Sequence, residues 1–64
     1  MTKRRDIIKK VRAHANSNGL PFRMEEGGRH TKVWVGDRQS VIPRHSDINE
    51  LTAKAIYKQL GVEQ

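Results

Sequence analysis

The sequence predicts an α+β domain of order α-β-β-β-α, a three-stranded antiparallel sheet with two helices packed on one face. Three observations carry that reading. Apolar residues recur at helical spacing near both ends of the chain, they alternate with a period of two in between, and glycine-led turns punctuate the alternating stretch. The 64 residues leave room for one domain, spanning 1–64. A domain this short buries only about 60% of the surface its unfolded chain exposes, so a partner that binds the folded form alone adds appreciably to its stability.

The first helix is expected over residues 4–16, where Ile7, Ile8, Val11 and Ala15 share a face among charged neighbours. Thr2 is the expected N-cap, and Asn16-Ser17-Asn18-Gly19 is a stop in which Gly19 suits a left-handed position. From Leu20 to Glu26 apolar and charged residues alternate, with Pro21 placed as at the start of an edge strand. Gly27-Gly28 is the expected first hairpin turn, residues 30–35 the second strand, Gly36-Asp37 the second turn, and residues 38–42 the third strand, ended by Pro43. A second helix is expected over residues 50–60. Ala53, Ile56, Tyr57 and Leu60 form its buried face, Gly61 closes it, and either Asp47 or Asn49 caps its start.

Two-residue turns at both positions set a register by counting. Met24 then faces Thr31 and Phe22 faces Val33, while Val35 faces Arg38, Val33 faces Ser40 and Thr31 faces Ile42. One side of the sheet collects Phe22, Met24, Thr31, Val33, Val35 and Ile42 and is the expected core side. The open side collects Arg23, Glu25, His30, Lys32, Trp34, Gln39, Val41 and Pro43.

Composition narrows the partners. Thirteen Lys and Arg against seven Asp and Glu give a net charge of +6, which points to a polyanion and favours nucleic acid. An anionic membrane surface is the competing partner, but it calls for an apolar helix face bearing Trp or Phe, and here both lie in strand-like segments. No cysteine is present, which excludes a disulfide framework and a thiolate zinc site. No apolar run approaches the roughly 20 residues of a membrane-spanning helix, so a cytoplasmic protein is expected.

On the open face this register sets Arg23 opposite Lys32, a like-charge pair that makes sense with a phosphate across it, and leaves Trp34 free to stack on an unpaired base. The plainer reading is that the cations solvate the outer face and Trp34 shields backbone. His30 opens the central strand, with Glu25 across from it on one side and Pro43 on the other. Imidazole is the side chain suited to take up and return a proton, as RNA cleavage through the 2′-hydroxyl requires. Glu25 is the candidate to orient that ring, and Arg29, Lys32 or Arg44 to offset charge on a phosphate. On composition alone a single strand histidine is an ordinary surface residue. Arg44 and His45, in the loop leading to the second helix, are candidate phosphate contacts at the same end of the sheet. His14 is expected to be solvated. Three histidines on three elements with scattered carboxylates make no expected metal site, and there is no phosphate-binding glycine loop, so metal-independent chemistry without a cofactor is anticipated.

Three stretches, in order, resemble a known family: Gly27-Gly28-Arg29-His30-Thr31-Lys32-Val33-Trp34-Val35, then Arg38-Gln39-Ser40-Val41-Ile42-Pro43-Arg44-His45, then Lys54-Ala55-Ile56-Tyr57-Lys58-Gln59-Leu60-Gly61. They are similar to the HicA toxins, whose pattern is a G-S-x-H turn into a strand, an S-V-x-P-x-H strand end and a closing helix K-A-I-x-K-Q-L-G. The likeness spans residues 3–61, and over 12–26 it rests on the order of elements. The resemblance implies a double-stranded-RNA-binding-like fold and metal-independent endonuclease cleavage of messenger RNA (an mRNA interferase) centred on His30. It also implies a HicB-type antitoxin as protein partner. Gly28 stands where the family commonly has Ser, which points to a weaker nuclease. Two other functions are weighed beside this one: a non-catalytic RNA-binding module on the same fold, and a basic DNA-binding protein. The second is disfavoured because a whole sheet separates the two helices and no helix-turn-helix unit exists.

Overall fold

The structure, a computed structural model, describes residues 1–62. The elements run β1 (Thr2–Lys3), α1 (Arg4–Ser17), β2 (Phe22–Glu26), β3 (His30–Val35), β4 (Arg38–Pro43), β5 (Asp47–Ile48) and α2 (Glu50–Leu60). Strands β2, β3 and β4 form an antiparallel sheet with β3 in the centre, and β1 pairs with β5 in a separate two-stranded ladder. The domain is therefore α+β with the expected α-β-β-β-α layout.

Helix α1 buries Ile7, Val11 and Ala15, a spacing of four that sets one stripe against the sheet. Its start differs from expectation. Lys3 is the N-cap and makes no side-chain cap hydrogen bond, because Thr2 is drawn into β1 opposite Ile48 and donates its hydroxyl to Glu50 Oε1 at 2.8 Å. The Arg4 amide, one of the donors a helix start leaves unpaired, is met instead by the Ser46 carbonyl at 3.0 Å. At the other end Gly19 takes φ 62°, and the Leu20 amide returns to the Ala15 carbonyl at 2.8 Å. Helix α2 starts on Asn49, whose Oδ1 accepts from the Leu51 amide at 2.8 Å, which decides between the two candidate caps.

The β3–β4 register is the expected one, with Val35 opposite Arg38, Val33 opposite Ser40, Thr31 opposite Ile42 and His30 opposite Pro43. The β2–β3 register is not. Phe22 faces Val35, Arg23 faces Trp34, Met24 faces Val33, Glu25 faces Lys32 and Glu26 faces Thr31. The loop tip is Gly28-Arg29 rather than Gly27-Gly28, and the Gly27 amide donates to the His30 carbonyl at 2.8 Å. A Cβ on Gly27 would stand 2.9 Å from that carbonyl oxygen, so only glycine fits this closing position. Moving a turn by one residue slides the ladder by two, and a slip of two leaves every side chain on its own face. The observed ladder gives both apolar residues of β2 an apolar partner, Phe22 on Val35 and Met24 on Val33, where the other would set Met24 against Thr31.

Both helices pack on the side of the sheet that carries Val33, Val35 and Ile42, and Ala53, Ile56 and Leu60 of α2 complete the core. Two polar residues lie within it, and each is satisfied. Ser40 donates to Gln59 Oε1 at 2.5 Å, tying β4 to α2, and Thr31 Oγ1 accepts from Arg4 Nη2 at 2.5 Å. Among the described residues no helix is long and apolar enough to cross a membrane.

Candidate functional site

His30 is the first residue of β3, exposed beside the loop tip and paired with Pro43 at the end of β4. That pairing brings the β2–β3 loop against the segment leaving β4. Arg29 and His30 from one side, and Arg44 and His45 from the other, line a hollow of about 370 Å³ whose remaining walls are Gly28 and Pro43. Two histidines and two arginines thus border one space, supplied by residues at one end of a single strand pair.

Arg44 fastens this arrangement. Its Nη1 donates to the Gly27 carbonyl at 2.8 Å, and its Nη2 lies 3.1 Å from Glu26 Oε2. The other carboxylate oxygen of Glu26 accepts from Arg4 Nη2 at 2.8 Å. Glu26 therefore joins the first turn of α1 to the end of β4 through two guanidinium groups. The hydrogen bond from Arg4 holds its carboxyl below the ordinary value of 4.5, aided by the positive charge of Arg44 and opposed by partial loss of water. At neutral pH it is an ionised strut, and the loop tip carrying Arg29 is held by the Arg44 it positions.

The other expected site residues lie on the open face of the sheet, away from this hollow. Arg23 and Lys32 are not opposite one another. In the observed ladder Arg23 faces Trp34, with its guanidinium carbon 4.9 Å from the ring centroid, and Lys32 faces Glu25, an opposite-charge pair. The directly opposed Arg23–Lys32 pair that a phosphate would have bridged is therefore not formed. Glu25 is likewise not across from His30; its Oε2 accepts from Arg23 Nη2 at 3.2 Å, so it does not orient the imidazole. The slide of two residues explains both corrections. His14 sits near the C-terminal end of α1, where its Nδ1 is 3.3 Å from Asn18 Nδ2, and it lines a different hollow with Val35 and Gly36 at the far end of β3.

Glu26 and Arg4 were not singled out by the sequence. Adjacent carboxylates on a strand point to opposite faces, so one of Glu25 and Glu26 had to turn towards the helix side, and that alternation is the signal that singles out Glu26. Among the described residues no group of three or more His, Asp or Glu side chains converges as a metal site would require. The chain matches no family model, no curated protein and no solved structure.

Chemically, a hollow bordered by two arginines and two histidines offers positive charge to an anion and imidazole groups for proton transfer. That combination suits a phosphodiester better than a neutral or cationic ligand.

Proposed function

We propose that this chain is a metal-independent endoribonuclease of the HicA kind, an mRNA interferase toxin whose cleavage centre is the hollow at His30. One observation carries the reading: His30 and His45 line the same small hollow as Arg29 and Arg44, on a domain of net charge +6. Cleavage of RNA through its own 2′-hydroxyl needs those groups. His30 takes the 2′-hydroxyl proton, the 2′-oxygen forms its bond to the adjacent phosphorus, and the bond to the 5′-oxygen breaks. His45 returns a proton to that leaving oxygen, giving a 2′,3′-cyclic phosphate and a free 5′-hydroxyl. The two guanidinium groups offset charge gathering on the phosphoryl oxygens. Arg23, Lys32 and Trp34 on the open face supply cations and a stacking surface for the rest of the strand.

The three motif stretches support the finer parts of this reading: messenger RNA as substrate, action in the cytoplasm without a cofactor, and a HicB-type antitoxin as the partner that covers the active face. RNA binding without cleavage is the second reading, favoured by Gly28, which leaves the hollow without the hydroxyl of the G-S-x-H pattern.

The test is incubation of purified protein with single-stranded RNA in excess chelator, beside the His30→Ala protein. The expected result is cleavage by the parent and a loss of about a hundredfold or more in the variant, with RNA binding retained. Cleavage by His30→Ala at the parent rate overturns the mechanism. Cleavage only without chelator overturns its metal independence, and intact RNA bound by the parent establishes the second reading.

A further inference from the structure

Arg44 borders a second hollow as well. This one, about 410 Å³, is lined by Lys3, Arg4, Arg5, Arg44 and Ser46, so four of its five side chains are cationic. Two carboxylates reach them, Asp47 on Lys3 at 2.5 Å and Glu26 on both Arg4 and Arg44. Four positive charges less two negative ones leave two without compensation. The Arg5 side chain makes no hydrogen bond or ion pair among the described residues, and the residue is exposed.

The placement runs against helix physics. Arg4 and Arg5 share the first turn of α1 with Asp6, at the end of the helix where amides carry positive partial charge and acidic residues stabilise; Glu26 reaches Arg4 but not Arg5. Cations there weaken the helix unless an anion sits among them. Since Arg44 walls both hollows, an anionic chain seated at His30 is led directly to this one.

We propose that the Lys3–Arg4–Arg5–Arg44 hollow is a second phosphodiester subsite, holding a phosphate of the same RNA strand next to the one in the His30 hollow. The inference rests on the RNA reading above and assigns Lys3, Arg4 and Arg5, outside the cleavage hollow, to strand binding. Arg5 is the residue that meets the phosphate with no competing carboxylate.

The test uses 2′-O-methyl RNA, which cannot undergo attack by its own 2′-oxygen. Binding of a dinucleotide, and of an oligonucleotide long enough to cross both hollows, is measured against salt for the parent and for Arg5→Glu and Arg5→Ala. Lys54→Glu, on α2 and outside both hollows, makes the same change in charge as Arg5→Glu. The expected result for Arg5→Glu is about a tenfold loss of oligonucleotide affinity and a salt slope shallower by about 0.7, as for one phosphate no longer neutralised, with dinucleotide binding unchanged. Arg5→Ala loses less. Melting temperature rises in Arg5→Glu, since an acid in the first turn suits the helix, so weaker binding is not a sign of damaged fold. Equal losses in Arg5→Glu and Lys54→Glu overturn the subsite and leave the nuclease reading intact, because overall charge then accounts for binding. A parent that binds neither oligonucleotide overturns both.

Discussion

The guanidinium of Arg23 lies 4.9 Å from the centre of the Trp34 ring, directly across the β2–β3 ladder. Both residues stand on the open face, and Arg23 is largely exposed, so the pair itself adds only about 0.5–1 kcal/mol to stability. Its consequence is orientation: one side of the indole is occupied by a cation.

The first prediction concerns that ring. Trp34→Ala is expected to weaken single-stranded RNA binding by about 1–3 kcal/mol, the value of one base stacked on an aromatic side chain. Stability should fall much less than on truncation of a core residue such as Ile42, where loss of a buried aliphatic side chain costs about 2–5 kcal/mol. Equilibrium binding of a fluorescent oligonucleotide and denaturant unfolding on the same proteins check the two halves. Unchanged RNA affinity in Trp34→Ala would return the ring to a backbone-shielding role.

A second prediction follows from the carboxylate of Glu26, held by Arg4 and Arg44. Its folded pKa lies below the ordinary 4.5, so its contribution to stability is present above that value and is lost as pH falls through the lowered one. Melting temperature of the parent should therefore fall more steeply than that of Glu26→Gln between neutrality and about pH 3, the two converging in acid. Asp47 and Glu50 are lowered as well, by hydrogen bonds from Lys3 and Thr2, and they set an acid decline common to both proteins. At neutral pH the loosened Arg44 should cost RNA cleavage about ten- to a hundredfold. Parallel melting profiles would mean that the strut is not formed in solution.

These residues also mark how far the sequence could be read. Helix α2 and the β3–β4 ladder were legible because Gly36-Asp37 and Gly61 are local signals with one sensible placement each; the start of α2 was narrowed only to Asp47 or Asn49, and the hydrogen bond from the Leu51 amide decides for Asn49. From that ladder alone, Arg29, His30, Arg44 and His45 fall at one end of the sheet. The first hairpin was not decided locally, since Gly27-Gly28-Arg29 admits two tips whose ladders have the same faces. The choice involves contacts distant in the chain, Arg4 on Glu26 and Arg44 on the Gly27 carbonyl, and no window of sequence displays those. The β1–β5 pairing was hidden for the same reason, being two residues long and joined across the whole fold. Ser40 and Gln59, which stand in two separate motif stretches, are hydrogen-bonded to one another. Part of what looked like a functional pattern is thus the bolt between β4 and α2.

The last prediction turns on two neighbouring glycines with opposite surroundings. A Cβ on Gly28 meets nothing within 4 Å, and its φ is not in the left-handed region, whereas a Cβ on Gly27 would press on the His30 carbonyl oxygen at 2.9 Å. Gly28 also lines the His30 hollow. Gly28→Ser should fold as the parent does and place a hydroxyl donor beside the bound phosphate. One added hydrogen bond to a charged group is worth about 1.5–3 kcal/mol when fully formed, so a rise in RNA cleavage of about tenfold is expected. Gly27→Ser carries the same side chain one residue earlier and should instead strain the hairpin, lowering melting temperature and cleavage together. The rates of both variants on one RNA substrate, with their melting curves, check the pair. If Gly28→Ser folds normally and cleaves no faster than the parent, the hydroxyl missing from this turn is not what limits the chemistry.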